Sequence, residues 1–238
     1  MNHKIRNSMI MLIAATLFFV SSLFHASTAS AGIIMKFSDI NKQDAAYSAV
    51  LYITSLEYMN VYKDAKFKPK KAVTKADAAK FVGKACEIST AKTSVATNFE
   101  DVTEKTANYS YITALTAIDA FTNSSKFNPD KTITRQEAAK LFVNAFSLPM
   151  KTSKEYADVS AKNAYSDYIS TAASYNILKG NSAKNFLPTK KMNRADFAVA
   201  LKKAIDAKEE INNTFLEETD GDSNSPDSNL DETIDEEE

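Results

Sequence analysis

Three basic residues stand where a helix start does not ask for them. Lys75, Arg135 and Arg194 hold the second place of Thr74-Lys75-Ala76-Asp77, Thr134-Arg135-Gln136-Glu137 and Asn193-Arg194-Ala195-Asp196. A Thr or Asn followed three residues on by an acid marks a helix N-terminus: the first side chain accepts from a free backbone N–H and the acid reaches back. That accounts for Thr74, Thr134, Asp77, Glu137 and Asp196 without any function. The cation falls at the first helical position, where the helix dipole opposes it by about a few tenths of a kcal/mol. A guanidinium beside open helix N–H donors suits a carboxylate or a phosphate. The competing reading is an ion pair with an acid of a neighbouring unit, such as Asp39, Asp101 or Asp158. Lys75 ranks last, because an ammonium is a point charge without the planar fork.

Other chemistries lack their residues. Cys86 is the only cysteine, and His3 and His25 are the only histidines. A disulfide framework, a cysteine zinc site and a histidine-dependent triad are excluded for the body of the chain. Cys86 reads as a small buried side chain late in a helix. A glycan-cleaving enzyme needs two carboxylates across a cleft, about 5–10 Å apart. No acid pair here stands apart from the helix starts and other motif positions. The expectation is a protein that is not an enzyme and takes no cofactor. Asp220, Asp222 and Asn224 alternate as in a calcium loop, but Ser225 stands where such a loop needs Gly and Pro226 follows. A disordered acidic segment is the stronger reading, and no metal is assigned.

The elements that must position these residues repeat along the chain. Phe37-Ser38-Asp39-Ile40 returns as Phe99-Glu100-Asp101-Val102 and as Tyr156-Ala157-Asp158-Val159. After 30, 28 and 30 residues come Phe67-Lys68-Pro69, Phe127-Asn128-Pro129 and Phe186-Leu187-Pro188, and the helix start begins seven residues after each of these phenylalanines. A period near 60 in three copies implies units that bury their faces against one another. Each unit reads as helix, loop, helix. The first helices carry Val50, Ile53 and Leu56; Ile112, Leu115 and Ile118; and Ile169, Ala172 and Tyr175 at helical spacing. Pro in the Phe-x-Pro segment cannot continue a helix. The second helices present Ala78, Phe81, Val82 and Ala85; Ala138, Leu141, Phe142 and Ala145; and Phe197, Ala200, Leu201 and Ala204. No strand run stands out, so the expected class is all-α with six main helices.

The ends differ from the body. Lys4 and Arg6 precede an apolar run over 9–24, and Ala29-Ser30-Ala31 follows. That is the plan of a secretory signal peptide over 1–31, so no membrane association is expected after cleavage. The whole chain carries a net charge of −1, but no Lys or Arg follows Lys208, and 13 acids lie in 209–238. Residues 32–208 therefore carry a net +10. Such a body attracts an anionic partner at low salt, and its acidic tail competes for the same surface or meets a protein partner.

The three motifs, in register in three copies, resemble the S-layer homology (SLH) domain of bacterial cell-envelope proteins. The resemblance covers about 35–207, as repeats over 35–90, 97–150 and 154–207, with an acidic disordered tail over 209–238. It implies three helix-loop-helix repeats in a pseudo-threefold arrangement around a central three-helix bundle, with grooves between repeats. It implies non-covalent binding of secondary cell-wall polysaccharide on peptidoglycan, often carrying pyruvate ketals. The expected contacts are Arg194, then Arg135, then Lys75. Gly180, Asp39, Asp101 and Asp158 join the candidate ligand-binding set, although turn or cap roles compete for the three acids.

The chain departs from the pattern in two ways. It has no Trp, and Tyr47, Tyr109 and Tyr165 lie near the place where the family has one. Only copy three keeps a loop Gly, in Leu178-Lys179-Gly180; the first two copies read Asn60-Val61-Tyr62 and Ala120-Phe121-Thr122. The expected function is cell-wall anchoring through anionic, pyruvylated polysaccharide by a secreted protein at the cell surface, with no nucleic-acid partner. The alternative is a structural envelope protein acting by self-association or through a protein partner.

Overall fold

The computed structural model describes residues 37–91 and 97–220. Its helices are α1 (Tyr47–Ser55), α2 (Lys75–Ala85), α3 (Tyr109–Ala117), α4 (Arg135–Ala145), α5 (Ser166–Ser174) and α6 (Arg194–Asp220). Only isolated bridges supply extended pairing among the described residues. The chain is all-α and built from three helix-loop-helix repeats.

The first helices stop one position short of the expected stripe. Leu56, Ile118 and Tyr175 are C-cap residues, and Leu56 and Ile118 are each 44% exposed. The next residues, Glu57, Asp119 and Asn176, take left-handed φ values of 56°, 56° and 59°. That turn aims two successive N–H groups at the last helical carbonyls. Glu57 donates to Thr54 O at 3.1 Å and Tyr58 to Ile53 O at 3.1 Å, and repeats two and three copy the pair. This is the Schellman stop, here made without Gly. Glu87 and Ser147, both at φ 50°, end α2 and α4 in the same way.

Each first helix packs mainly on the second helix of another repeat: α3 on α2, α5 on α4 and α1 on α6. The three second helices meet through Phe81, Phe142 and Phe197. Ring centroids lie 6.2 Å apart for Phe81–Phe197 and 5.3 Å for Phe142–Phe197, and all three rings are buried. Burying one such ring is worth about 1.5–3 kcal/mol. Backbone hydrogen bonds close the same cycle. Val73 donates to Met192 O at 3.1 Å, Met192 to Ile133 O at 3.0 Å and Ile133 to Val73 O at 3.0 Å. Val73, Ile133 and Met192 are buried, so water does not compete for these bonds.

The acidic tail expected to be disordered from Glu209 begins instead as helix. α6 runs on to Asp220, because neither Gly nor Pro interrupts 194–220 and the body-side face continues through buried Ala204, Ile205 and Ala207. Lys202 and Asp206, paired at 2.8 Å one turn apart, add support to the exposed side. The signal-peptide segment 1–31 and the calcium-like residues Asp222 and Asn224 lie outside the described residues. Asp220 is the last residue of α6.

Candidate functional site

Each opening acid grips the Phe-x-Pro loop of its own repeat. Asp39 accepts from the N–H groups of Phe67 and Lys68, both at 2.8 Å. Asp101 accepts from Phe127 and Asn128 at 2.8 and 2.7 Å, and Asp158 from Phe186 and Leu187, both at 2.7 Å. Lys68, Asn128 and Leu187 have φ of 58°, 57° and 60°, which turns two successive N–H groups toward one carboxylate. Both oxygens of each acid are engaged in this turn. At Asp101 desolvation pushes the pKa up, but the N–H bonds from Phe127 and Asn128 outweigh it and hold the carboxyl below its ordinary value.

The second helices start with side-chain caps of the expected kind. Thr74 Oγ1 accepts from the Asp77 N–H at 3.0 Å, Thr134 and Glu137 form a capping box, and Asn193 Oδ1 accepts from the Asp196 N–H at 2.8 Å. The first two helical N–H groups are not left open. Lys75 and Ala76 donate to Lys131 O and Pro129 O at 2.9 and 3.0 Å. Arg135 and Gln136 donate to Lys190 O and Pro188 O at 3.0 and 2.9 Å, and Arg194 and Ala195 to Lys71 O and Pro69 O at 2.9 and 3.0 Å. Each helix N-terminus is therefore capped by the Phe-x-Pro loop of another repeat. The donors that the sequence offered to an anion are occupied by carbonyls.

The basic side chains follow the same route. Arg194 donates through Nε to Phe67 O at 2.8 Å and through Nη2 to Asn60 O at 2.6 Å, with its guanidinium 4.6 Å from the Phe67 ring centroid. It is only 2% exposed, and burial lowers its pKa from the ordinary arginine value. Arg135 repeats the arrangement on Phe186 O at 2.8 Å and Lys179 O at 2.7 Å, over the Phe186 ring at 4.5 Å. Burial lowers its pKa too. Lys75 has no fork. It lies 4.6 Å from the Phe127 ring centroid and pairs with Glu137 at 3.4 Å. None of the three forms an ion pair with Asp39, Asp101 or Asp158. Nη1 of Arg194 bonds to no described residue. The residue as a whole is buried, so its guanidinium presents almost no surface to solvent.

The shared carbonyl contacts correct the alignment of the loops. Asn60 and Lys179 both receive an arginine Nη2, so Gly180 corresponds to Val61. The glycine has a local cause: an added Cβ would lie 2.2 Å from Cε1 of Tyr156, whose hydroxyl accepts the Gly180 N–H at 3.3 Å. Tyr47 and Tyr109 open α1 and α3, and Tyr165 precedes α5; all three are half-buried.

Sequence reasoning missed the group around Tyr62. Lys68 Nζ sits 4.0 Å from the Tyr62 ring centroid, Lys71 Nζ 5.2 Å and Arg194 Cζ 5.2 Å, and Lys71 Nζ also donates to Tyr62 Oη at 3.0 Å. The signal was available as Tyr62 followed by Lys68, Lys70 and Lys71 around the loop proline. The equivalents of Tyr62, Lys68 and Lys71 in repeat three are Asn181, Leu187 and Lys190, so this cluster belongs to one junction.

The comparisons with known proteins agree with this architecture. Residues 36–79, 98–139 and 155–198 match the S-layer homology domain. These segments make up more than half of the chain, and the protein belongs to that family. It is similar to the surface-layer 125 kDa protein of Lysinibacillus sphaericus, 37% identical over 83 residues, which is 35% of this chain and 7% of that protein. It is also similar to S-layer protein EA1 of Bacillus anthracis and to an S-layer protein of Bacillus licheniformis, each 32% identical over 91 residues. Those matches cover 38% of this chain and 11% and 10% of the relatives, so the chain aligns with only a small part of each. Family and relatives make the repeats a cell-wall anchoring module of a cell-surface protein.

Proposed function

We propose that the three repeats dock non-covalently on an anionic secondary cell-wall polysaccharide through the clefts between repeats, without catalysis. Pyruvate ketals are the anionic group that the family resemblance suggests. The observation that carries the reading is the pair of lysines, half-buried Lys68 and exposed Lys71, gathered around Tyr62 at the junction that Arg194 clamps. A body with net charge +10 over 32–208 adds long-range attraction. Several weak contacts along one polymer multiply into firm attachment.

Co-sedimentation of the chain with purified bacterial wall, before and after stripping of the secondary polymer, tests this across a salt series. The expected result is binding that disappears on stripping and falls as salt rises. Equal binding to stripped wall, or none to either, contradicts it.

One observation favours the second reading, assembly through a protein partner or a second copy. α6 extends beyond the matched repeat, and Phe215 on that extension is 68% exposed. Concentration-dependent self-association in sedimentation, abolished by Phe215→Ser, would support it.

A further inference from the structure

The segments that follow the three Phe-x-Pro loops gather at one end of the molecule. Cross-repeat bridges pair Ala72 with Asn193, Thr74 with Thr132 and Thr134 with Lys191, so the residues that lead into α2, α4 and α6 lie side by side. Val73, Ile133 and Met192 close the buried hydrogen-bond cycle there. Two residues before each of these stands a lysine: Lys71, Lys131 and Lys190. Lys70 and Lys191 flank them. All five lysines are exposed, and Asp130 is the one acid among 70–72, 130–132 and 189–191. Lys71 donates to Tyr62. The ammonium groups of Lys70, Lys131, Lys190 and Lys191 pair with no carboxylate among the described residues. Helix capping does not ask for these side chains, because it uses the backbone carbonyls of Lys71, Lys131 and Lys190. Like charges gathered at one end repel one another unless an anion joins them.

The opposite charge lies at the far end of α6. That helix starts at the lysine face and runs for 27 residues, about 40 Å, to Asp220. Residues 209–220 hold five acids and no base, and 221–238 hold eight acids and no base. The chain therefore presents lysines where α6 begins and carboxylates where it ends. To return to the lysines of its own chain, 221–238 would have to cover about 40 Å of a maximum reach of about 60 Å, which costs chain entropy. A second copy brings the same lysines to the exit of α6 without that stretch. Two different, complementary patches on one chain make a head-to-tail contact, which builds rows or rings of copies.

We propose that the face formed by Lys70, Lys131, Lys190 and Lys191 receives the acidic segment 221–238 of a second copy, so that the chain assembles head to tail. This rests on the reading of the protein as a self-associating envelope component and is independent of wall docking.

The full chain is followed by sedimentation velocity over a concentration series at low and high salt. Growth beyond a dimer is expected at low salt, fading as salt screens the charges. Lys131→Glu/Lys190→Glu/Lys191→Glu is expected to weaken association at least about tenfold, and so is a variant with the eight acids of 221–238 changed to their amides. Lys42→Glu/Lys105→Glu/Lys162→Glu makes the same charge change at exposed lysines before the first helices and is expected to leave association unchanged. Mixing the lysine-face variant with the amide variant is expected to restore a one-to-one complex, since one supplies the acids and the other the lysines. Undiminished association of the lysine-face variant, an equal loss in the Lys42, Lys105 and Lys162 control, or no complex on mixing overturns the proposal. Association abolished by Phe215→Ser but unmoved by the lysine-face variant also overturns it and leaves assembly through α6 standing. A parent chain that stays monomeric overturns both; if the amide changes then shift the NMR signals of its own lysine face, the acids belong to the lysines of the same chain.

Discussion

Replacing Arg194 by Ala is expected to damage the fold as well as any groove. The side chain makes two hydrogen bonds from a charged group to carbonyls of another repeat, at 2.8 and 2.6 Å, and is 2% exposed. Hydrogen bonds of that kind contribute about 1.5–3 kcal/mol each, and the contact with the Phe67 ring adds about 0.5–1 kcal/mol. The terms overlap, since all of them hold one loop, so a loss of about 4 kcal/mol is reasonable. For a domain of this size that lowers Tm by about 8–16 °C. Arg194→Lys keeps the charge but loses the fork, and about half of the loss is expected to remain. Arg135→Ala, half-buried with the same two bonds, falls in between, and Lys75→Ala costs about 1 kcal/mol at most. Urea unfolding followed by circular dichroism measures the series. If Arg194→Ala unfolds within about 0.5 kcal/mol of the parent chain while losing wall binding, the arginine is a ligand contact alone and the clamp argument fails.

Three further perturbations follow from the geometry. Leu187→Asn relieves a branched side chain at φ 60° while keeping the N–H bonded to Asp158, and unfolding in urea should show a gain of about 0.5–1 kcal/mol. Gly83→Ala should destabilise despite the better helix propensity of Ala, because the new Cβ would lie 2.4 Å from the Tyr111 ring; adding Tyr111→Ala should make the Gly83→Ala step favourable, and calorimetry of the four-member cycle decides it. Asp101 has a lowered pKa in the folded state, so its contribution is fully present above the unfolded value and is lost as pH falls below about 4. Asp101→Asn should flatten the acid limb of the stability profile, and an unchanged limb would contradict the loop-clamp role.

Much of the architecture was legible because it is written three times. The Phe-x-Pro loop and the Thr-x-x-acid start fixed where each second helix begins, and Thr74, Thr134 and Asn193 cap as their residue types dictate. The helix ends were not legible. Glu57, Asp119 and Asn176 adopt left-handed backbone without the Gly that usually announces it, so helical spacing continues the apolar stripe through Leu56 and Ile118, which are exposed. The site was half legible. Residue types singled out Arg194, Arg135 and Lys75 as cations in need of a reason, but no local pattern could show that the reason for the two arginines is the carbonyls of another repeat, 127 residues away for Arg194 and Phe67, and for Lys75 the Glu137 of another repeat. The cyclic pairing of repeats also brings Arg194 to the Tyr62 ring, and linear spacing does not display that meeting.

The most direct test of the account is to map where a purified secondary wall polymer touches the isotopically labelled chain. NMR perturbations are expected to concentrate at the junction of repeats three and one, at Tyr62, Lys68 and Lys71, and to fade with salt. Perturbations confined to Ile211 and Phe215 on α6, or none at saturating polymer, would contradict it.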